Sequence, residues 1–266
     1  MKRLTILMLL ALLLVPSRHV QSCTIVMVAK GNLVLVGNNE DWKNPNTKMW
    51  FIPAEDGEYG RVCFGFDNMF AQGGMNDQGL FIDANAISPT EWNATEGKPY
   101  FRGDIMDKIL ATCATIEDAI AFFEEHNVPS LRQARFPVAD KSGETMVVEW
   151  AKGKVQFVKR TGIYQISTNF VMTNVKDGEY PCWRYRTAKR MFEEAEEVSA
   201  DLVRDILSAA HLEGRTPTQY SNIYDLNSGD VYIYYFHDFK TFKKINLKTE
   251  LEKGKKVYDI PALFSE

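Results

Sequence analysis

Cys23 is the residue of this sequence best placed to act as a nucleophile, because it lies just past an apolar N-terminal run, where a mature chain could begin. A thiol has a pKa of about 8.5 and needs a nearby base to react near neutral pH. His126, His211 and His237 each stand alone near the end of a predicted element, so we do not expect them to be that base. A free α-amine, with a pKa of about 7.7–8.0, would supply one. Cleavage after Ser22 would create nucleophile and base in one residue.

The first 22 residues have the pattern of a secretory signal peptide. Lys2 and Arg3 form a basic start, and residues 4–15 are an uncharged apolar run. This run is shorter than the roughly 20 residues that span a bilayer. We therefore predict cleavage before Cys23, no membrane span, and a mature chain of residues 23–266 that is secreted or periplasmic.

Two other roles for Cys23 stay open. A bacterial lipoprotein signal would place a lipid on this cysteine, which would block the thiol, although the polar stretch PSRH separates it from the apolar run. Cys23 could also pair with Cys63, Cys113 or Cys182, which are otherwise buried thiols or a structural disulfide. The cysteine spacings match no metal-site pattern, so we expect no metal and no organic cofactor.

The charge balance argues against a nucleic-acid partner. The formal net charge is −4. It becomes about −7 when Lys2, Arg3 and Arg18 leave with the signal peptide. Phosphate binding needs a basic stripe, which this chain lacks. A small molecule is therefore the expected partner, and a homo-oligomer is compatible with the sequence.

Strand-like runs alternate with helical blocks along the chain. Apolar alternation predicts strands at 24–29, 33–37, 61–66, 79–85, 134–140, 144–150, 154–159, 162–168, 220–226 and 230–236. Helices are predicted at 104–113, 115–126, 183–196 and 199–211, with caps at Thr115 and Ser199. The glycines in residues 71–79 predict turns. No linker or repeat divides this order, which indicates one α+β domain of antiparallel sheets covered by helices.

Six short motifs follow one another in a recognisable order. They are CTIVMV from residue 23, GNNEDW (37–42), GGMNDQGLFIDAN (73–85), ADKSGETMVVEW (139–150), STNF (167–170) and CWRYRTAKRM (182–191). This series resembles the choloylglycine hydrolase family of linear-amide C–N hydrolases, which includes bile-salt hydrolases and penicillin V acylases. The resemblance covers nearly all of the chain after residue 22. It implies an N-terminal-nucleophile hydrolase with a four-layer αββα sandwich and an acyl-amide substrate.

The resemblance also implies roles for individual residues. Cys23 matches the nucleophile, with its α-amine as proton acceptor. Asp41 matches the aspartate that holds the nucleophile end of the chain. Arg184 matches a late arginine near the site, and Arg186 is the competing register.

Two asparagines match the groups that stabilise the oxyanion. Asn169 matches the residue whose side-chain amide donates to the oxyanion, although Asn174 stands in a similar context. Asn85 lies where the family places a second donor, a backbone N–H. The spacing leaves Ala84 and Ala86 as alternative registers for that donor.

Asn38 departs from the family pattern, because the bile-salt and penicillin enzymes have an arginine three residues before the aspartate that matches Asp41. A cation would lower the thiol pKa, whereas a neutral amide does so far less. Arg61 could supply the missing charge from elsewhere in the chain. We predict that Asn38 and Trp42 contact the substrate. The aromatic residues of segment 42–59 either line an apolar acyl pocket or belong to the core.

The sequence therefore predicts an exported cysteine amidase that cleaves a linear amide through a thioester on Cys23. A non-catalytic binding protein of the same fold, lipid-anchored or secreted, is one alternative. An acyltransferase-like relative is the other.

Overall fold

The computed structural model describes residues 23–265, in which alternating apolar side chains build two stacked sheets. The strands are β1 (Thr24–Lys30), β2 (Leu33–Asp41), β3 (Thr47–Ile52), β4 (Arg61–Phe66), β5 (Ala71–Asn76), β6 (Leu80–Asp83), β7 (Asn85–Ala86), β8 (Ala134–Asp140), β9 (Thr145–Ala151), β10 (Lys154–Lys159), β11 (Tyr164–Ser167), β12 (Thr218–Asp225), β13 (Asp230–Tyr235), β14 (Lys243–Asn246) and β15 (Lys256–Asp259). The α-helices are α1 (Ile105–Thr112), α2 (Ile116–Glu125), α3 (Trp183–Glu194), α4 (Ala200–Ala210) and α5 (Leu247–Leu251).

The strands form two antiparallel sheets. The first has the order β11-β1-β2-β12-β13-β14, and the second has the order β10-β9-β8-β6-β5-β4-β3-β15 with β7 paired to β8. The strand pairings on both paths are antiparallel. The first sheet carries α3 and α4 on its outer face, and the second carries α1 and α2.

Three apolar clusters separate the four layers. Ile25 and Met27 of β1 pack between the two sheets, in a cluster that we call the inner core. Val26 and Val28 point the other way and pack against α3 and α4. A third cluster joins the second sheet to α1 and α2. This period-two alternation produces the αββα sandwich that the motif series predicted.

Most predicted elements are present with bounds shifted by a few residues. The hairpin of β1 and β2 turns at Gly31, whose φ of +61° suits a residue without a side chain. Asp104 caps α1, and Thr115 with Asp118 forms the predicted capping box at α2. Predicted strand 79–85 is interrupted at Ala84, which divides it into β6 and β7.

The prediction of turns across residues 71–79 is wrong for its first part, which forms β5. The glycines there allow close packing rather than reversal. A Cβ on Gly73 would lie 2.1 Å from Oδ2 of Asp83, and one on Gly74 would lie 2.1 Å from the carbonyl oxygen of Val62. Strands β3, β14 and β15 were not predicted either, and the last two are short and contain no fully buried residue.

All four cysteines are free thiols, so the disulfide alternatives are wrong, including the one for Cys23. The predicted signal peptide, residues 1–22, lies outside the described residues, and the domain bounds 23–266 stay a prediction. Across residues 23–265, no helix combines the length and apolar character needed to cross a bilayer.

Candidate active site

Cys23 lies at the start of β1 with its sulfur directed between the sheets. Ile25 pairs with Asn38 of β2 and belongs to the inner core, so Asn38 and Glu40 face the same side as Cys23. The Cys23 thiol donates to Oε1 of Glu40 at 3.6 Å. Asp41, one residue further, faces the helix layer instead. Glu40 and Asp41 are therefore neighbours in β2 whose side chains lie on opposite faces of the sheet.

Arg184 connects the elements that surround Cys23. Its Nη1 donates to Oγ1 of Thr24 at 2.7 Å and to Oδ2 of Asp41 at 3.1 Å. Its Nη2 donates to Oδ1 of Asn169 at 2.7 Å. The guanidinium is buried because Arg184 begins the inward face of α3, which continues four and eight residues later with Ala188 and Phe192. One side chain therefore joins β1, β2 and the segment after β11.

Two asparagines hold the backbone next to the nucleophile. Nδ2 of Asn85 donates to the carbonyl oxygen of Cys23 at 3.0 Å, and its Oδ1 accepts from the hydroxyl of Ser167. Nδ2 of Asn169 donates to the carbonyl oxygen of Ala86 at 2.7 Å. The structure thus places the side chain of Asn85 against the Cys23 backbone, and that of Asn169 against Ala86 and Arg184. Their roles at an oxyanion stay predictions.

The competing residues Arg186 and Asn174 are both exposed, unlike the buried Arg184. Arg186 is exposed, and its guanidinium donates to the carbonyl oxygen of Tyr180. Asn174 ends a short 3₁₀-helix, Met172–Asn174. The segment that carries Asn169 is instead held by Glu149, which accepts from the backbone N–H groups of residues 172 and 173 at 3.0 and 2.8 Å. Glu149 also pairs with Arg135 at 3.6 Å, and both side chains are fully buried.

Arg61 does not place a positive charge beside Cys23, so the prediction that it replaces the missing arginine is wrong. It pairs with Asp107 of α1 at 2.7 Å and with Glu58 at 3.1 Å. Its neighbour Val62 belongs to the inner core, so Arg61 must point to the helix side of the second sheet. Asn38 is buried near Cys23, and its Oδ1 has no hydrogen-bond partner among residues 23–265.

The charges around Cys23 oppose thiolate formation. Burial raises the pKa of the Cys23 thiol, and the nearby carboxyls of Glu40, Asp83 and Asp41 raise it further. The backbone N–H of Asp41 acts in the opposite direction. Burial, followed by the charge of Glu40, also raises the pKa of Asp83. Sulfur should therefore keep its proton until a substrate arrives.

Asp41 itself is fully buried between Arg184 and Thr218. Burial raises the pKa of its carboxyl, while Arg184 and the hydrogen bond from Thr218 oppose the rise. The Thr218 hydroxyl donates to Oδ1 of Asp41 at 2.5 Å. Thr218, like Glu40 and Asp83, was not identified from the sequence. Strand alternation was the signal available for Glu40, since β1 and β2 pair in a fixed register.

A cleft of about 510 Å³ lies beside the cluster. Trp42, which follows Asp41, and Ala84 and Ala86, which flank Asn85, contribute to its wall. Much of the remaining wall is apolar, including Ile87, Ile105, Met106 and Phe136. Trp42 therefore stands where a substrate could contact it. Among the other aromatic residues of segment 42–59, Trp50 and Phe51 are buried core residues.

The prediction that the histidines are isolated is wrong for one pair. The rings of His211 and His237 lie 4.8 Å apart between centroids. With Glu213 they form a group of three potential metal ligands whose donor atoms lie within 4.8 Å of one another. Glu213 is exposed, and the group shares no residue with the Cys23 cluster.

Solved structures with the same fold are known enzymes. A mutant of the conjugated bile acid hydrolase from Clostridium perfringens superposes with a TM-score of 0.71 at 17% identity, covering 89% of this chain and 96% of that one. Penicillin V acylase from Agrobacterium tumefaciens gives 0.58 at 16% identity, covering 89% and 91%. The Caenorhabditis elegans ortholog of N-acylethanolamine-hydrolyzing acid amidase gives 0.58 at 14% identity, covering 77% and 93%. At these identities the likeness establishes a shared fold.

A search of curated protein sequences finds no match. A family model described as acyl-coenzyme A:6-aminopenicillanic acid acyl-transferase matches residues 28–235. That range covers most of the chain, and the fold agrees with the motif series. The chain therefore belongs to this acyl-transferase family, and it shares its fold with the bile acid hydrolase, the penicillin V acylase and the acid amidase.

Proposed function

We propose that this protein hydrolyses a linear amide through a thioester on Cys23. The observation that supports the proposal best is the direct contact network around this residue. Arg184 joins Asp41, Asn169 and Thr24, and Asn85 binds the Cys23 carbonyl. Residues that are distant in sequence therefore converge on Cys23 and its neighbour Thr24.

The chemistry needs a free α-amine at Cys23, whose nitrogen is an amide while Ser22 is attached. We propose that export removes residues 1–22 and releases a secreted or periplasmic enzyme. The amine would then lie within the nucleophilic residue itself, where it can accept a proton. Sulfur attacks the amide carbonyl, and N–H donors near Asn169 and Asn85 stabilise the oxyanion. Loss of the amine leaves a thioester, which water hydrolyses.

The cleft beside the cluster favours an apolar acyl group. Its wall contains Ile87, Ile105, Met106 and Phe136, and its volume of about 510 Å³ falls in the range of small-ligand pockets. Suitable test substrates are conjugated bile salts, penicillin V, N-acylethanolamines, N-acyl homoserine lactones and N-acyl amino acids. Turnover should increase with acyl chain length until the cleft is filled.

The family match favours acyl transfer as a second candidate function. An amine would then replace water as the acceptor of the acyl group from the same thioester. Adding hydroxylamine during turnover distinguishes the two, because a transferase would convert most of the acyl group to hydroxamate. A hydrolase would release mainly the free acid.

The central experiment compares wild-type protein with Cys23→Ala on this substrate panel. Cys113→Ala is the matched control, because it removes another buried thiol outside the cluster. We expect turnover in wild type and in the control and none in Cys23→Ala. Equal turnover in all three proteins would reject the nucleophile. No turnover in any of them would favour a binding protein of the same fold.

Intact mass of protein exported by its native host tests the processing step. We expect a chain that begins at Cys23 with an unmodified thiol. A diacylglyceryl increment on Cys23 would refute the enzyme proposal, because the lipid occupies the sulfur.

A further inference from the structure

Glu40 is the carboxylate in contact with the reacting sulfur. Its Oε1 accepts from the Cys23 thiol at 3.6 Å, within the range for a hydrogen bond to sulfur, and both residues are buried. The neighbouring Asp41 carboxylate is bound to Arg184 and Thr218 on the opposite face of β2. Of these two adjacent acids, Glu40 is therefore the one that can receive a proton directly from sulfur.

Two described residues that interact with Glu40 from other strands, Asp83 and Tyr220, are an acid and a phenol. Asp83 of β6 and Tyr220 of β12 lie close enough to influence the Cys23 sulfur, and each is buried. The phenol oxygen of Tyr220 has no hydrogen-bond partner within the described part of the chain. A resting thiolate would thus face negative charge, so the proton should leave only during the attack.

Asp83 makes it possible for Glu40 to act as a base. Two buried carboxyls side by side cannot both carry a charge at modest cost, and they share a proton. Burial and the charge of Glu40 raise the pKa of Asp83, which favours a proton on Asp83. Asp83 fits at this place because residue 73 is a glycine. A Cβ on residue 73 would lie 2.1 Å from Oδ2 of Asp83. The oxygen of Glu40 nearest sulfur, Oε1, is already the acceptor of the hydrogen bond from the Cys23 thiol.

We propose that Glu40 is a catalytic residue that takes the thiol proton of Cys23 during acylation. The proposal rests on Cys23 being the nucleophile and changes only which group removes its proton. As the S–C bond forms, the proton moves to Oε1 of Glu40 and the carbonyl π electrons move to oxygen. As the C–N bond breaks, that proton passes to the departing nitrogen. The carboxylate is restored, and the α-amine of Cys23 remains available to activate water.

Acylation by p-nitrophenyl acetate isolates the step assigned to Glu40. Nitrophenolate leaves without a proton, so its release reports removal of the thiol proton and attack. The experiment uses the full chain as exported, with its N-terminus identified by mass. We expect Glu40→Gln to slow single-turnover acylation about 100-fold or more, the usual effect of losing a general base. Glu194→Gln, the same substitution at an exposed residue of α3, should acylate at the wild-type rate.

Whether Glu40→Gln slows or speeds acylation distinguishes a general base from a carboxylate that acts only through its charge. If Glu40 acted only through its charge, Glu40→Gln would lower the pKa of the thiol and speed acylation. An unchanged or faster rate therefore overturns the proposal. Glu40→Ala provides a second variant, in which sodium formate should restore acylation in proportion to its concentration. A failure of formate to restore any rate in a folded Glu40→Ala protein counts against the base role.

The acetyl group identifies which proposal has failed. Wild-type protein that carries no acetyl on Cys23 by peptide mass spectrometry contradicts the nucleophile assignment and thus the proposed function. Acetylation of Cys23 at equal rates in wild type and Glu40→Gln contradicts only the role of Glu40. Circular dichroism of each variant shows whether a lost rate reflects a lost fold.

Discussion

The buried ion pair of Asp41 and Arg184 should make Asp41→Asn strongly destabilising. Nη1 of Arg184 lies 3.1 Å from Oδ2 of Asp41, and the side chains are 5% and 0% exposed. Removing one partner of such a pair costs about 3–5 kcal/mol, because the remaining charge stays buried without its counter-ion. Asparagine keeps the shape and an oxygen for Thr218, so charge is the main change. We expect about 3 kcal/mol, since Arg184 keeps its bonds to Thr24 and Asn169.

Asp201→Asn is the matched control for this prediction. Asp201 also pairs with an arginine, Arg204, at 2.6 Å, but the two side chains are 78% and 32% exposed. An exposed pair contributes less than about 1 kcal/mol. Urea unfolding followed by tryptophan fluorescence gives both losses from the shift in midpoint at constant slope. Equal losses in the two variants, or less than about 1 kcal/mol for Asp41→Asn, would refute the reasoning.

Activity and a double variant extend the test. Arg184 holds Thr24, the residue after the nucleophile, so Asp41→Asn should lower kcat/KM about 100-fold by misplacing the sulfur. Adding Arg184→Met removes the uncompensated charge. The double variant should therefore be more stable than Asp41→Asn alone, although it will not recover activity. A double variant that is less stable than Asp41→Asn would show that the hydrogen bonds of Arg184, rather than its charge, stabilise the site.

Three further substitutions test other parts of the structure. Gly73→Ala should slow Cys23 acylation and lower the unfolding free energy by about 1–3 kcal/mol, measured in urea, because the new Cβ displaces Asp83. Glu149→Gln should lower the urea midpoint by the equivalent of about 3–5 kcal/mol, because its buried arginine partner loses its counter-ion. Burial opposes ionisation of the Cys182 thiol, but Arg184 and the Thr168 hydroxyl lower its pKa overall. Cys182 should therefore react first with a disulfide reagent at pH 7, and Cys182→Ala should remove that fast phase.

Much of the fold follows from local patterns. The strands of the two sheets alternate apolar residues, and α1 and α2 begin at side-chain caps that the sequence displays. Strand β5 was not predicted because Gly73 and Gly74 are typical of turns. In the structure they instead allow close packing against Asp83 and Val62. Strand β15 was not predicted because an exposed edge strand needs no apolar alternation. Contacts between residues that are distant in sequence, rather than local propensity, determine strands β5 and β15.

The same limit applies to the candidate site. Motif order brought out Asp41 and Arg184, which the structure joins directly. It did not identify Glu40, because a motif aligned on Asp41 assigns no role to the residue beside it. Strand geometry would have done so: Thr24 pairs with Asn39, so the next residues outward, Cys23 and Glu40, must share a face. Asp83 was harder to identify from the sequence, because only the pairing of β5 and β6 brings its side chain to that face.

Asn38 and Glu40 lie on the face of β2 that Cys23 shares, and the residue types at both positions affect the charge beside the thiol. An arginine at position 38 would face the same layer as Cys23 and Glu40, two residues along the strand. It would neutralise a carboxylate at position 40 and hold a thiolate in the resting enzyme. With Asn38 there, no cation at that position offsets the burial and the carboxyls that raise the pKa of the Cys23 thiol, and the thiol donates to Glu40 instead. Asn38→Arg should therefore lower the pKa of Cys23 and make acylation independent of Glu40. If Asn38→Arg and Asn38→Arg/Glu40→Gln acylate at very different rates, the two positions do not compensate in this way.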